Sequence, residues 1–434
     1  MDKRGSGNRQ RVTMEATIIT SPAKEKFLSS LANHKSALLE NAPELVSAAL
    51  ASLDELDFPT TRVEDWKYTR TARISNGEWS IIKNRNKIDI TPFLIRDLNA
   101  DVIVFVNGFF SNELSSFSSS EKTSITIGGK HQRETKAFKN IFQALNVAYC
   151  TSAVNISVAK NIVAEKPIQI LHIVTDEKAL AQPFISIHSE KSSQLHILES
   201  FVSVGEKKSF TNRSLNITVD ENAQLHLDKI QIECDDNFLL NEDNIHIADN
   251  GHFTINTLTV DGGWVRNSLN ISLDGQNIEA NLNGIFLPRR KQFVDNHTKV
   301  DHRFPNCNSN ELYKGILDDQ STGVFNGKVY VHPDAQKTNA YQSNANILLS
   351  NDAQMNTKPE LEIYADDVKC SHGTTTGQMD ENALFYLKSR GLGDESARKL
   401  LSTAFINDVL YKVTNEKVRE YVVGELVRRE LLFV

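Results

Sequence analysis

Cys370 and His372 put a thiol and an imidazole two residues apart, at the end of Asn356-Thr-Lys-Pro-Glu-Leu-Glu-Ile-Tyr-Ala-Asp-Asp-Val-Lys-Cys-Ser-His-Gly373. The run into them reads as a β-strand, in which residues i and i+2 share a face. The two side chains then project together, roughly 6–7 Å apart at the backbone. A thiolate beside a neutral imidazole suits a soft metal such as iron or zinc, or sulfur transfer. Two ligands do not complete a metal site, so the others must come from elsewhere. The bland alternative is a partly buried thiol beside a hydrogen-bonded imidazole. A second polar stretch, Val294-Asp-Asn-His-Thr-Lys-Val-Asp-His302, carries two histidines and two aspartates. Alternation sets Asp295, His297, Lys299 and Asp301 on one face and Asn296, Thr298, Val300 and His302 on the other. Its plainer reading is a solvated or hydrogen-bonded strand face. Its chemical reading is a β-solenoid polysaccharide lyase or hydrolase using Asp295, Asp301 and His302. There is no P-loop, no G-x-G-x-x-G, no G-x-S-x-G and no H-E-x-x-H.

The elements that must position these residues follow from composition and periodicity. The chain has 434 residues, 40% hydrophobic and 24% charged, with a formal net charge of −7. That is an ordinary globular composition, and no basic field calls for nucleic acid. No apolar run reaches the ~18 residues that span a bilayer. Residues 1–20 read as a disordered tail without the apolar core of a secretory signal, residues 1–13 being a possible upstream extension before a start at Met14. Cys150, Cys234, Cys307 and Cys370 are widely spaced, which fits free thiols in a reducing cytoplasm.

Residues 21–100 read as a helical N-terminal region, with Pro43 dividing two helices and Asn41 available as a cap. A short strand, Val102 to Val106, runs into an Asn107-Gly108 turn, and a further helix is expected from Lys136 to Ala148. Within a β core set at 101–376, short alternating strands follow one another from about Ile156 to Asp367, such as Leu225–Ile232 and Phe253–Val260, separated by Asn, Asp and Gly clusters. This mainly-β texture favours a solenoid modestly over a sandwich, with one inward row supplying most of the stability. A charge at Ile232 or Leu258 is then expected to unfold the local coil. Residues 377–434 return to helix in three segments: Asp380–Leu387, Asp394–Tyr411 and Asn415–Leu432. As capping elements they would close one end of the solenoid; alternatively they dock a partner.

Long ungapped stretches carry a specific resemblance. Arg62-Val-Glu-Asp-Trp-Lys-Tyr68, Asp295–His302, Pro305–Gly315, Gly323–Thr338, Tyr341-Gln-Ser343, Asn356–Gly373 and Leu384–Leu392 are similar to the SufB/SufD family of iron–sulfur cluster assembly proteins. Within it, Cys-Ser-His-Gly at 370–373 resembles the SufD branch, where SufB members carry a Glu-His-Glu variant. The resemblance implies a right-handed parallel β-helix with helical regions at both ends. It implies a cytoplasmic heterodimer with a SufB-like subunit, and a SufC-like ABC ATPase received by the C-terminal helices around Phe385, Tyr386, Arg390, Gly391, Leu401 and Phe405. It implies that His372, with Cys370 beside it, stands at the SufB interface opposite a SufB cysteine. No cofactor is expected to be held stably by the isolated chain. Iron or a nascent Fe–S cluster at the interface, and a flavin in the assembled complex, are the implied guests. On this reading the chain is a scaffold without catalysis of its own.

Overall fold

The computed structural model describes residues 21–84, 87–128 and 138–431. Helices α1 (Pro22–Ser29), α2 (Pro43–Glu55) and the single turn α3 (Ala72–Ser75) precede strands β1 (Asp101–Val106), β2 (Phe109–Phe110) and β3 (Thr123–Ile127), and then helix α4 (Ile141–Ala148). Next come β4 (Ser152–Val158), β5 (Ile168–Val174), β6 (Leu180–Ala181), β7 (Pro183–Ser189), β8 (Gln194–Ser203), β9 (Ser209–Val219), β10 (Gln224–Ile232), β11 (Asn237–Ile247) and β12 (His252–Asp261). The strands continue as β13 (Trp264–Leu273), β14 (Glu279–Phe286), β15 (Phe293–His302), β16 (Asn308–Leu317), β17 (Thr322–Val331), β18 (Thr338–Leu348), β19 (Gln354–Ile363) and β20 (Val368–Gln378). Helices α5 (Glu381–Ser389), α6 (Asp394–Leu410) and α7 (Glu416–Arg428) close the described chain.

The strands wind into a parallel β-solenoid of about eight turns. One sheet orders as β2-β1-β5-β8-β10-β12-β14-β16-β18-β20, and the facing sheet as β19-β17-β15-β13-β11-β9-β7-β4-β3. Among the strands of the described residues, only the first break the parallel rule, β1 with β2 and β3 with β4 being antiparallel. The β1–β2 hairpin is closed by Asn107 and Gly108, both at positive φ (48° and 80°), the residue types that tolerate that region.

Each turn of the coil takes roughly 30 residues, since Gln194, Gln224, His252, Glu279, Asn308 and Asn339 stand in register. Two residues before each of these register positions lies a left-handed residue: Ser192, Asn222, Asn250, Asn277, Asn306 and Lys337. Asparagine tolerates this conformation better than other non-glycine residues. The recurring Asn clusters are thus the corner of the coil, met once per turn. Neighbouring corners also bond, with Asn277 Nδ2 donating to Asn250 Oδ1 at 3.1 Å.

The inward faces bury a continuous aliphatic and aromatic core that includes Ile197, Leu227, Ile255 and Leu282. The interior is not apolar throughout. Arg213 and Lys229 meet Glu199 and Asp243 inside the coil, all of them buried, so two cations balance two anions. The inward row is therefore not aliphatic throughout.

The helices lie on the flanks of the solenoid. Helices α1, α2 and α4 pack Phe27, Leu45 and Phe142 against Phe184, Phe210 and Trp264 on the outer face of the second sheet. Helices α6 and α7 pack Ile406, Val409, Val418 and Val422 against Ile230, Leu258, Ile285 and Ile316 on the outer face of the first. This corrects the expectation that the C-terminal helices, as caps, close one end of the solenoid: a sheet whose outer face is apolar draws an amphipathic helix to its side. It also corrects the expectation for Ile232 and Leu258. Both face outward beneath the C-terminal helices and belong to that interface rather than to the inward row.

The helix starts follow local chemistry. Ser21 Oγ accepts from the amide of Lys24 at α1, Asn140 caps α4, Asp380 caps α5 and Asn415 caps α7. Helix α2 begins at Pro43 with Ala42 in the cap position and no side-chain cap, so Asn41 does not serve as expected. Proline at the first helical position lacks the N–H that a cap would satisfy. The expected starts and ends at Lys136 and Leu432, and the tail 1–20, lie outside the described residues.

Candidate functional site

Cys370 and His372 lie on β20, and their side chains do share one face. Cys370 pairs with Ala340 and His372 with Gln342 on β18, both buried positions of the inward row. The inward column through His372 runs Ile197–Leu227–Ile255–Leu282–Glu311–Gln342–His372, each in register with the next. Its last three members are polar, where the earlier coils place aliphatics. Gln342 Nε2 donates to Glu311 Oε2 at 2.6 Å, so the polar pair is tied together beneath His372.

What distinguishes β20 is position. It ends its sheet, as β19 ends the other, and among the described residues no coil is stacked on either. The inward face of β20 is therefore open to solvent: His372, Thr374 and Thr376 are exposed although their counterparts Gln342, Asn344 and Asn346 are buried. Strands β19 and β20 also present unpaired edges 10 and 11 residues long. Exposed edges of that length invite another strand.

The pair itself is asymmetric. Cys370 is half-buried beside a small apolar cluster of Val329, Val331, Ala335, Ala340 and Ala365. Burial pushes its thiol above the ordinary cysteine range, so the sulfur is protonated at neutral pH. The His372 imidazole is exposed and makes no hydrogen bond or ion pair with the described residues. Its lone pair is the more available donor. No third His, Cys, Asp or Glu among the described residues joins these two in a metal-sized group. The deficit read from the sequence persists in three dimensions.

The stretch 294–302 is β15, and the structure pulls its polar residues apart. Asp295 is buried on the outer face, where Thr69 Oγ1 donates to its Oδ2 at 2.5 Å and Arg266 pairs with it. Arg266 also donates to the Asp65 carbonyl at 2.9 Å and stacks 3.9 Å over Trp66, tying the Arg62–Tyr68 segment to the solenoid. Asp301 pairs with Arg303 and His332. His302 points inward, bonds Ser309 Oγ at 2.9 Å, and is pushed down to about 4 by burial. Asp295 and Asp301 stand six residues apart on one strand, about 20 Å, with His302 on the opposite face. Carboxylate pairs that cleave glycosides need about 5–9.5 Å. These three residues therefore do not form a hydrolytic centre.

The six residues expected to receive an ATPase divide between two helices. Phe385 and Tyr386 on α5 are 74% and 56% exposed, with the Arg390 guanidinium 5.3 Å over the Tyr386 ring. Gly391, at φ 93°, turns the chain out of that helix. Leu401 and Phe405 on α6 are half-buried. Phe405 packs on the solenoid, where Lys314 Nζ lies 4.7 Å over its ring and donates to its carbonyl at 2.7 Å. The exposed aromatic surface is thus the end of α5, which buries little besides Leu384.

One cluster escaped the sequence reading: His196, His226 and Asp228, gathered on the outer face of β8 and β10. The signal was the repeated Gln194-Leu-His-Ile and Gln224-Leu-His-Leu, which stack the two imidazoles in register.

A family model described as "SUF system FeS cluster assembly, SufBD core domain" matches residues 172–405, more than half of the chain, and a "SufBD protein N-terminal region" model matches residues 24–170. The chain is 28% identical over 385 residues to the "Iron-sulfur cluster assembly protein SufD" of Escherichia coli, covering 88% of this chain and 91% of that one. It is 29% identical over 386 residues to an iron–sulfur cluster assembly SufBD family protein of Synechocystis, covering 83% and 85%. It is 30% identical over 243 residues to a chloroplastic protein of Arabidopsis thaliana, covering 56% and 51%. With the solenoid, its open last coil and the Cys370–His372 face on the page, the chain belongs to the SufBD family of SUF-system iron–sulfur cluster assembly proteins.

Proposed function

We propose that this protein is a SufD-like scaffold subunit that pairs with a SufB-like subunit through its open last coil. The observation that carries this is the exposed inward face and free edges of β19 and β20, which leave His372 at the surface where a second solenoid would meet it. Strand addition across such edges supplies main-chain hydrogen bonds. The partner supplies the remaining ligands, and iron or a nascent cluster is the cargo held between the two chains. His372 is the ligand from this side, and Cys370, protonated and half-buried, supports the strand face.

A SufC-like ABC ATPase docks on the exposed end of α5 through Phe385, Tyr386 and Arg390. Helix α6 follows α5 directly and is packed on β14 and β16, so movement of α5 reaches the solenoid through that interface. Nucleotide binding would then shift a two-state equilibrium of the subunit interface by differential affinity. The chain performs no catalysis of its own in this scheme.

His372→Ala tests the reading in the reconstituted complex with iron and sulfide. Complex formation is expected to persist and cluster yield to collapse. A normal cluster yield refutes His372 as a ligand; loss of the complex itself refutes the placement of the cluster ligand apart from the docking energy.

A further inference from the structure

We propose that His196, His226 and Asp228 form a binding site for one divalent first-row transition ion of the zinc or ferrous class, separate from the Cys370–His372 face. Asp228 is fully buried on β10, with its carboxylate turned toward the outer face of the first sheet. His196 Nε2 lies 2.8 Å from its Oδ2, and His226 Nε2 lies 3.0 Å from its Oδ1. The three donor atoms all fall within 4.8 Å of one another. Two imidazoles and one carboxylate are a donor set that suits zinc or ferrous iron and leaves further coordination positions open. Those positions face an open cleft of about 310 Å³ lined by Gln194, Gln224, His252, Thr254 and Thr414.

Two further observations point to a cation. No lysine or arginine among the described residues pairs with Asp228, so a fully buried carboxylate has only two imidazoles and an amide around it. Buried carboxylates are ordinarily paired with a cation or bound to a metal. The hydrogen bonding around His226 is also mismatched. Asn256 Nδ2 donates to Asp228 Oδ1 at 2.7 Å and lies 3.2 Å from His226 Nε2. With Nε2 protonated, the imidazole meets that amide donor to donor; with Nε2 bare, its lone pair faces the carboxylate oxygen. Turning the Asn256 amide over gives up its Oδ1, which accepts from Asn283 at 2.9 Å. A cation between the imidazole and the carboxylate removes the conflict with the amide left in place. The same Asn256 amide reaches the Lys412 carbonyl at 3.3 Å, so the ion would also brace the connection between α6 and α7.

The test uses the full-length chain, stripped with chelator, titrated calorimetrically with Zn²⁺ alone and followed by the visible absorption of added Co²⁺. Wild type is expected to bind one equivalent with the d–d bands of a protein-coordinated ion. His196→Ala and His226→Ala, whose side chains are 23% and 20% exposed and so spare the core, are each expected to weaken binding at least about ten-fold. His372→Ala is expected to leave it unchanged, which separates this site from the proposed cluster interface. The proposal is overturned if wild type binds no stoichiometric ion. It is equally overturned if both histidine variants, shown folded by circular dichroism, retain wild-type affinity, or if the binding disappears in His372→Ala instead.

Discussion

Glu311 gives the most quantitative test of how the coil beneath His372 is built. It is a buried carboxylate on the inward face of β16, in register under Gln342. Burial raises its pKa from 4.5 to about 7, against the pull of the hydrogen bond that the Gln342 amide donates to it. The folded chain thus binds this proton more tightly than the unfolded chain. Its penalty on stability is absent below the unfolded value near 4.5, grows as pH rises toward 7, and is constant above. Two and a half units at 1.36 kcal/mol each set a ceiling of roughly 3 kcal/mol. Linkage places less than about 1 kcal/mol of it at pH 5 and about 3 kcal/mol at pH 8. Glu311→Gln keeps the shape of the protonated acid and an oxygen for the Gln342 amide, while removing the titration. Guanidinium unfolding of both proteins at pH 5 and pH 8 should therefore show the variant more stable, by about 2–3 kcal/mol more at pH 8 than at pH 5. Glu233, raised to about 8 by burial, titrates in both proteins and cancels in the difference. A stability gap that is the same at both pH values, or that favours wild type at pH 8, refutes the assignment of a buried, uncompensated carboxylate at this position.

Arg266→Ala leaves Asp295 buried without its cation and unties Trp66, and should destabilise by about 3–5 kcal/mol, read by thermal or denaturant unfolding. Leu258→Asp should release α6 and α7 while the coil stays wound: proteolysis should cut first after residue 378, with the strand signature in circular dichroism retained. Phe385→Glu combined with Tyr386→Glu should leave the melting temperature within the error of wild type, because both rings are exposed, yet abolish co-purification with a SufC-like ATPase.

Much of this molecule was legible along the chain. Period-two alternation announced most of the strands from β5 to β17, though not β16, and the Asn, Asp and Gly clusters announced the corners, because side-chain direction and left-handed tolerance are local properties. The pairing of Cys370 with His372 on one face was equally local, as was their shortage of further ligands. The direction in which the helices pack was not. An amphipathic helix records that it has an apolar face, and whether that face meets the end or the flank of a solenoid depends on which outer strand residues are apolar, as Ile230, Leu258 and Ile285 are. The separation of Asp295 from His302 and the joining of His196 to Asp228 were likewise decided by the coil. With roughly 30 residues per turn, contacts depend on the register between distant strands, and a shift of one residue would turn each of these side chains to the other face. The sequence determined a thiol and an imidazole side by side on a strand. Only the tertiary structure decided that, among the described residues, this strand is the last of its sheet, with its inward face exposed, because exposure there depends on what stacks on the strand and not on the residues themselves.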